Sequence, residues 1–223
     1  NNQGVDPMCK RVRRSKFNGV LGINIGKNTT TSVGDALADY IFCMRKVYKQ
    51  ASYVAVNISS PNSPGLRDLQ KESELATLIE GLKEEHEALK EKFGKHVPLV
   101  VKIAPDMDDE DMTNLARRLL SFELDGVIVS NTTVSRGAVA GERHASQSGG
   151  LSGEPLRSQA NHALSLVSNE VKGKMAVIGV GGIVKGEDAA EKIRLGADLV
   201  QIYTGFIYHG PDLISNCVKS MKS

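Results

Sequence analysis

Six short runs of apolar, largely β-branched residues recur along the chain: "VLGINIG" (20–26), "SYVAVNIS" (52–59), "LVVKIAP" (99–105), "GVIVSNT" (126–132), "MAVIGVGG" (175–182) and "DLVQIYTG" (198–205). They are continuous rather than alternating, the pattern of parallel strands covered on both faces. Helical stripes lie between them. Leu37, Tyr40, Ile41, Met44, Val47 and Tyr48 make one, and Leu75, Leu78, Ile79, Leu82 and Leu89 make another on a highly charged helix. Met112, Leu115, Ala116 and Leu119 make a third, and Asp108-Asp109-Glu110-Asp111 puts at its start the charge a helix N-terminus prefers. Shorter helices are expected near 155–168, 187–195 and 211–220. Strand alternating with helix throughout means a parallel α/β fold.

An open doubly wound sheet and a closed (β/α)8 barrel both satisfy that pattern, and the polar residues decide between them. Asn24, Asn57, Lys102, Asn131 and the pair Tyr203-Thr204 fall late in five different runs, and Gly181-Gly182 closes a sixth. Barrels build sites from many strand ends around one mouth, whereas open sheets concentrate them at one switch point. The expectation is therefore a (β/α)8 TIM-type barrel with about six of its eight strands in this chain. Residues 1–223 would be one barrel domain, incomplete at the N-terminus and at the C-terminus.

The balance of charge excludes some partners. Lys plus Arg number 28 against 26 for Asp plus Glu, a net charge of +2. That is too even for nucleic acid or an anionic membrane surface as the main partner. The basic stretch "KRVRRSK" (10–16) reads as solvated surface. Cys9, Cys43 and Cys217 are far apart, so neither a disulfide framework nor a structural zinc site is expected. The five histidines fall on helices and loops, and no metal is expected.

Lys102 is the sharpest chemical signal. It sits inside a strand between Val100-Val101 and Ile103-Ala104, where an ammonium is costly unless an anion meets it. A lysine snorkelling out of the strand end is the plain structural alternative. "GVGGI" (179–183) is not a dinucleotide fingerprint, because Val184 stands where the third glycine would be. It reads instead as a turn whose amides can approach a phosphate, on the strand where barrels commonly hold one. Asn24, Asn57, Asn62 and Asn131 offer paired donors and acceptors suited to a flat heterocycle bearing N–H and C=O groups. The segment 133–153 is long enough to be a lid or a disordered loop.

With these residues in view, the chain resembles the dihydroorotate dehydrogenases of the membrane-associated, quinone-reducing class. The resemblance rests on "NIGKN", "VNISSPNSPGLR", "VKIAPD", "SNTTVSR", "GGLSGEPLR", "IGVGGI" and "QIYTG", in that order. It implies FMN at the barrel mouth, oxidation of dihydroorotate to orotate in pyrimidine biosynthesis, and a quinone acceptor. It also implies membrane contact through a segment absent from this chain, at the mitochondrial inner membrane or, alternatively, a bacterial cytoplasmic membrane. Ser60 stands where the soluble class has a cysteine, which implies Ser60 as the catalytic base. Asn1, Asn57, Asn62, Asn131 and Thr132 would bind the substrate. Asn24, Asn57, Lys102, Ser130, Ser152, Gly153, Gly181, Gly182, Tyr203 and Thr204 would hold FMN. Ser59 is expected to matter much less than Ser60. The alternatives are another FMN-barrel pyrimidine oxidoreductase with a soluble acceptor, and a non-catalytic fragment.

Overall fold

The apolar runs become short strands: every residue of Gly126–Val129 is buried, whereas exposed and buried residues alternate along Gly22–Ile25 and Leu199 is exposed, so the expectation of cover on both faces is corrected at those two runs. The computed structural model describes residues 3–222 and places them in two units. One contains the chain up to Ile58 together with Ser63–Val101; the other contains Ser59–Asn62 and the chain from Lys102 onward.

The first unit opens with helix α1 (Val5–Arg14), then strand β1 (Gly22–Ile25), helix α2 (Ala36–Val47), strand β2 (Tyr53–Asn57) and helix α3 (Glu72–Phe93). β1 and β2 pair in parallel, with Asn24 opposite Ala55 and Ile25 opposite Val56. The expected stripes point inward: Tyr40, Met44 and Val47 of α2 and Leu75, Leu78, Ile79, Leu82 and Leu89 of α3 are all buried. The buried Tyr40 and His86 are satisfied by backbone. Tyr40 donates its hydroxyl to Asn57 O at 2.7 Å, and His86 Nε2 lies 2.7 Å from Val97 O. α3 ends where Gly94 takes a left-handed φ of 60°, a conformation open to glycine at little cost. The helix α1 was not anticipated; it carries most of the basic stretch, and Lys10, Arg11, Arg13 and Arg14 are exposed on it as expected of solvated residues.

The chain enters the second unit within strand β3 (Leu99–Ile103). Helix α4 (Asp109–Ser121), strand β4 (Gly126–Val129), helix α5 (Arg157–Val171), strand β5 (Ala176–Val180), helix α6 (Gly186–Arg194), strand β6 (Leu199–Gln201) and helices α7 (Thr204–His209) and α8 (Asp212–Ser220) follow. β4, β5 and β6 pair in chain order, all parallel. Asp108 caps α4, its carboxylate accepting from Asp111 N at 2.8 Å, so the acidic run does what its position suggested.

Two expectations are corrected. The run 198–205 is strand only at Leu199–Gln201, and Thr204 already begins α7. Gly205 permits that helix to start hard against the loop that follows β5, because a Cβ there would collide with Ile183 O. The segment 133–153 is neither a free lid nor disordered. Thr133 and Leu151 form an antiparallel bridge, and the Arg136 guanidinium donates to Thr133 O, Ser135 O, Gln147 O and Gly149 O at 2.6–3.3 Å. One planar cation thus ties both ends of the loop through its backbone carbonyls.

Leu82 is fully buried on α3. Leu82→Ala should destabilise the protein by about 2–5 kcal/mol, read as a lower urea midpoint at unchanged slope.

Candidate functional site

A cleft of about 210 Å³ opens in the second unit, and it gathers most of the residues singled out from sequence. Lys102 from β3, Ser130, Asn131 and Thr132 after β4, Ser152 and Gly153 ahead of α5, Gly181 and Gly182 after β5, and Tyr203 and Thr204 at the head of α7 all line it. Each follows or ends a parallel strand, or begins the helix after it, so backbone pairing alone brings these positions to one end of the strands.

The glycine turn is shaped by its neighbours. Gly181 and Gly182 have φ of 98° and 76°, the left-handed region that glycine enters without penalty. A Cβ on Gly182 would run into the backbone and Cβ of Arg157, and one on Gly181 would lie 2.9 Å from Leu156 Cδ2. The turn therefore presses directly on the start of α5. Behind it Asp188 takes Arg157 on Oδ1 at 2.9 Å and the amides of Val184 and Lys185 on Oδ2 at 3.0 and 3.1 Å. Across the cleft floor Thr204 Oγ1 donates to Ser152 Oγ at 2.9 Å.

Lys102 is half-buried, and burial pushes its ammonium below the usual lysine range with no carboxylate offsetting the shift. Such a cation gains from any anion that enters. Lys192 on α6 is fully buried, and desolvation carries it down to about 8 despite the opposing charge of Asp188.

Ser59 and Ser60 part company. Ser59 is wholly buried; its hydroxyl donates to Lys102 O at 2.7 Å and accepts from Asn131 Nδ2 at 3.1 Å. Asn131 Oδ1 accepts from Thr132 N at 2.9 Å, which fixes the amide's orientation. Removing the Ser59 hydroxyl would take one hydrogen bond each from Lys102 O and Asn131 Nδ2. Ser60 is half-buried and accepts from Asn62 N at 3.3 Å. Asn62 and Pro61 stand against the glycines of the long loop, with Asn62 Oδ1 3.3 Å from where a Gly149 Cβ would be. Ser60 and Asn62 belong to the same unit as the cleft but are not among its lining residues.

Asn24 and Asn57 lie in the first unit. Asn24 is exposed on β1, and Asn57 is half-buried at the end of β2 with its carbonyl held by Tyr40. Asn1 lies outside the described residues. Sequence reading missed Ser59, Asp106, Arg136, Arg157, Asp188 and Lys192. Asp106 accepts from the Thr133 hydroxyl and from Gln159 Nε2, at 3.2 Å for the latter, anchoring the loop root. The one available signal was spacing: Asp188 and Lys192 sit four residues apart on the inward stripe of α6 with Ala189.

Strand-end residues from parallel βα units, gathered on one cleft with a glycine turn and a half-buried lysine, define an α/β protein of the TIM-barrel class. The model of the dihydroorotate dehydrogenase family matches residues 1–223, and the chain belongs to that family. It is 48% identical over 221 residues to the dihydroorotate dehydrogenase (quinone) of Neisseria meningitidis serogroup C, covering 99% of this chain and 66% of that protein. It is 51% identical to the enzyme of the same name from Azotobacter vinelandii, covering 99% of this chain and 64% of the relative. The ligand-free structure of the enzyme from Eimeria tenella superposes with a TM-score of 0.89 at 35% identity, over 99% of this chain and 66% of that one. The chain therefore spans just under two thirds of the length of these relatives.

Lys192 makes a pH-dependent contribution to stability that can be measured. Its pKa is lower folded, about 8, than the 10.5 of a lysine free in water, so the unfolded chain binds more protons between those limits and wild-type stability rises with pH there. Lys192→Met should be more stable than wild type by on the order of 3 kcal/mol near pH 7. The gap should close between about pH 8 and 10.5, as urea melts at stepped pH would show.

Proposed function

We propose that this chain forms the cofactor and substrate end of an FMN-dependent, quinone-linked dihydroorotate dehydrogenase acting in pyrimidine biosynthesis. The observation that carries the reading is the convergence of Lys102, Ser130, Asn131, Thr132, Ser152, Gly153, Gly181, Gly182, Tyr203 and Thr204 on one cleft. The donor set suits a phosphorylated flavin. The turn at Gly181-Gly182 leaves no room for side chains, and amides in such a turn meet phosphate oxygens. The hydroxyls of Ser152 and Thr204 add neutral donors beside it.

The bound flavin would supply the two-electron acceptor. The work of the chain's own residues is separate. Lys102, short of water and without an offsetting carboxylate, would offer positive charge to an anionic ring or carboxylate, where low dielectric makes it count most. Asn131, held by Ser59 and Thr132, would present a fixed amide to the pyrimidine, with Asn57 and Asn62 as further amides. Ser60 would take the C5 proton of dihydroorotate; its hydroxyl is oriented by the Asn62 amide. Asn24 would contribute to flavin binding from β1.

The acceptor is assigned by class. Ser60 rather than cysteine at the base position supports quinone, as do the names of the relatives at 48–52% identity. Those relatives are bacterial, which favours a bacterial cytoplasmic membrane over the mitochondrial inner membrane as the place of the reaction. Among the described residues no helix is long and apolar enough to cross a membrane, so membrane contact rests on the quinone class alone.

Ser60→Ala should still bind FMN and orotate, while anaerobic stopped-flow reduction by dihydroorotate falls by about 10²–10⁴-fold. Near-normal reduction would remove Ser60 from the chemistry. A protein that leaves the fluorescence of added FMN unquenched would overturn the cofactor assignment itself. Ser59→Ala should cost about 1–3 kcal/mol of stability, because it deletes both hydrogen bonds of a buried hydroxyl, measured by thermal unfolding.

A further inference from the structure

Apart from Lys102, no cationic side chain lines the cleft among the described residues, and Ser152, Gly181, Gly182 and Thr204 bring only backbone and hydroxyl groups to it. The charges stand behind it. Arg157 and Asp188 pair at 2.9 Å and cancel to first order. Glu154, which also meets Arg157 at 3.4 Å, is 64% exposed and screened by water. Lys192 is left over, at 0% exposure, and it gives this buried group a net positive charge. Its Nζ donates at 3.3 Å to Val180 O, the carbonyl that immediately precedes the glycine turn and also accepts from Ser130 N.

Packing does not require that charge. The Lys192 stem lies against β5, with a Cβ on Gly179 only 3.2 Å from Lys192 Cβ and Cδ; a methionine stem would fill the same space. A buried ammonium is costly, and burial lowers its proton affinity accordingly. An anion bound on the far side of the turn would recover part of that cost.

Resting on the reading of the cleft as an FMN site, we propose that Lys192 is the buried cation that makes this cleft prefer a phosphorylated flavin to its unphosphorylated analogue. It acts through the field behind the Gly181-Gly182 turn, not by contact with the ligand. The same charge would serve no purpose toward riboflavin, which lacks the phosphate.

The test is fluorescence titration of flavin-stripped protein with FMN and with riboflavin, for wild type, Lys192→Met and Lys192→Gln, alongside thermal melts without ligand. In both variants the FMN Kd should rise about ten-fold while the riboflavin Kd changes less than about two-fold. The ligand-free melting temperature should be no lower than that of wild type. Parallel weakening of both flavins with a lowered melting temperature would make Lys192 merely structural and overturn the proposal. Wild-type FMN affinity in Lys192→Gln would do the same, because a hydrogen bond to Val180 O would then suffice. Wild-type protein that binds neither flavin would instead remove the reading of the cleft, whereas FMN binding with an unchanged ratio in the variants would remove only the role of Lys192.

Discussion

The carboxylate of Asp188 is the interaction on which the cleft depends. It is 6% exposed and accepts three hydrogen bonds, from Arg157 and from the amides of Val184 and Lys185. Those two amides follow directly on Gly181, Gly182 and Ile183, which line the cleft. With Arg157 committed, the start of α5 is pinned against Gly182, where no side chain would fit. A buried carboxylate is tolerated only when paired and fully hydrogen-bonded, and here that requirement couples two βα units into one rigid floor.

A second buried hydroxyl does similar work a short distance along the chain. Ser59 links the backbone of β3 at Lys102 to the side chain of Asn131 beyond β4. Its neighbour Ser60 is only half-buried and takes a local amide. Two adjacent residues of one type thus differ, one buried between two elements and one held only by a local amide. Pro61 favours an extended conformation at Ser60.

The long loop shows how polar backbone is managed where no sheet continues. Arg136 satisfies carbonyls at both ends of the segment, and Asp106 gathers Thr133 and Gln159 at its root. Loops of this length cost entropy to order. The guanidinium, with several donors in a fixed plane, meets several carbonyls for the ordering of one side chain. The result is a loop that presents Ser152 and Gly153 at a defined place in the cleft.

The amino-acid sequence by itself determined the class of fold and the identity of most cleft residues, because both are written in local pattern. Continuous apolar runs specify strands buried on both faces, and a polar residue late in such a run has nowhere to go but the strand's end. Gly181-Gly182, Lys102 and Asn131 were legible for that reason. The tertiary structure alone decided what stands behind them. Asp188, Lys192 and Arg157 look like the charges of any surface helix until α6 is packed against β5 and α5, and Ser59 looks like half of a serine pair until Asn131 reaches it from 72 positions further along the chain. Burial is a property of packing, and it is burial that turns an ordinary lysine, carboxylate or hydroxyl into a group whose partners must be specified.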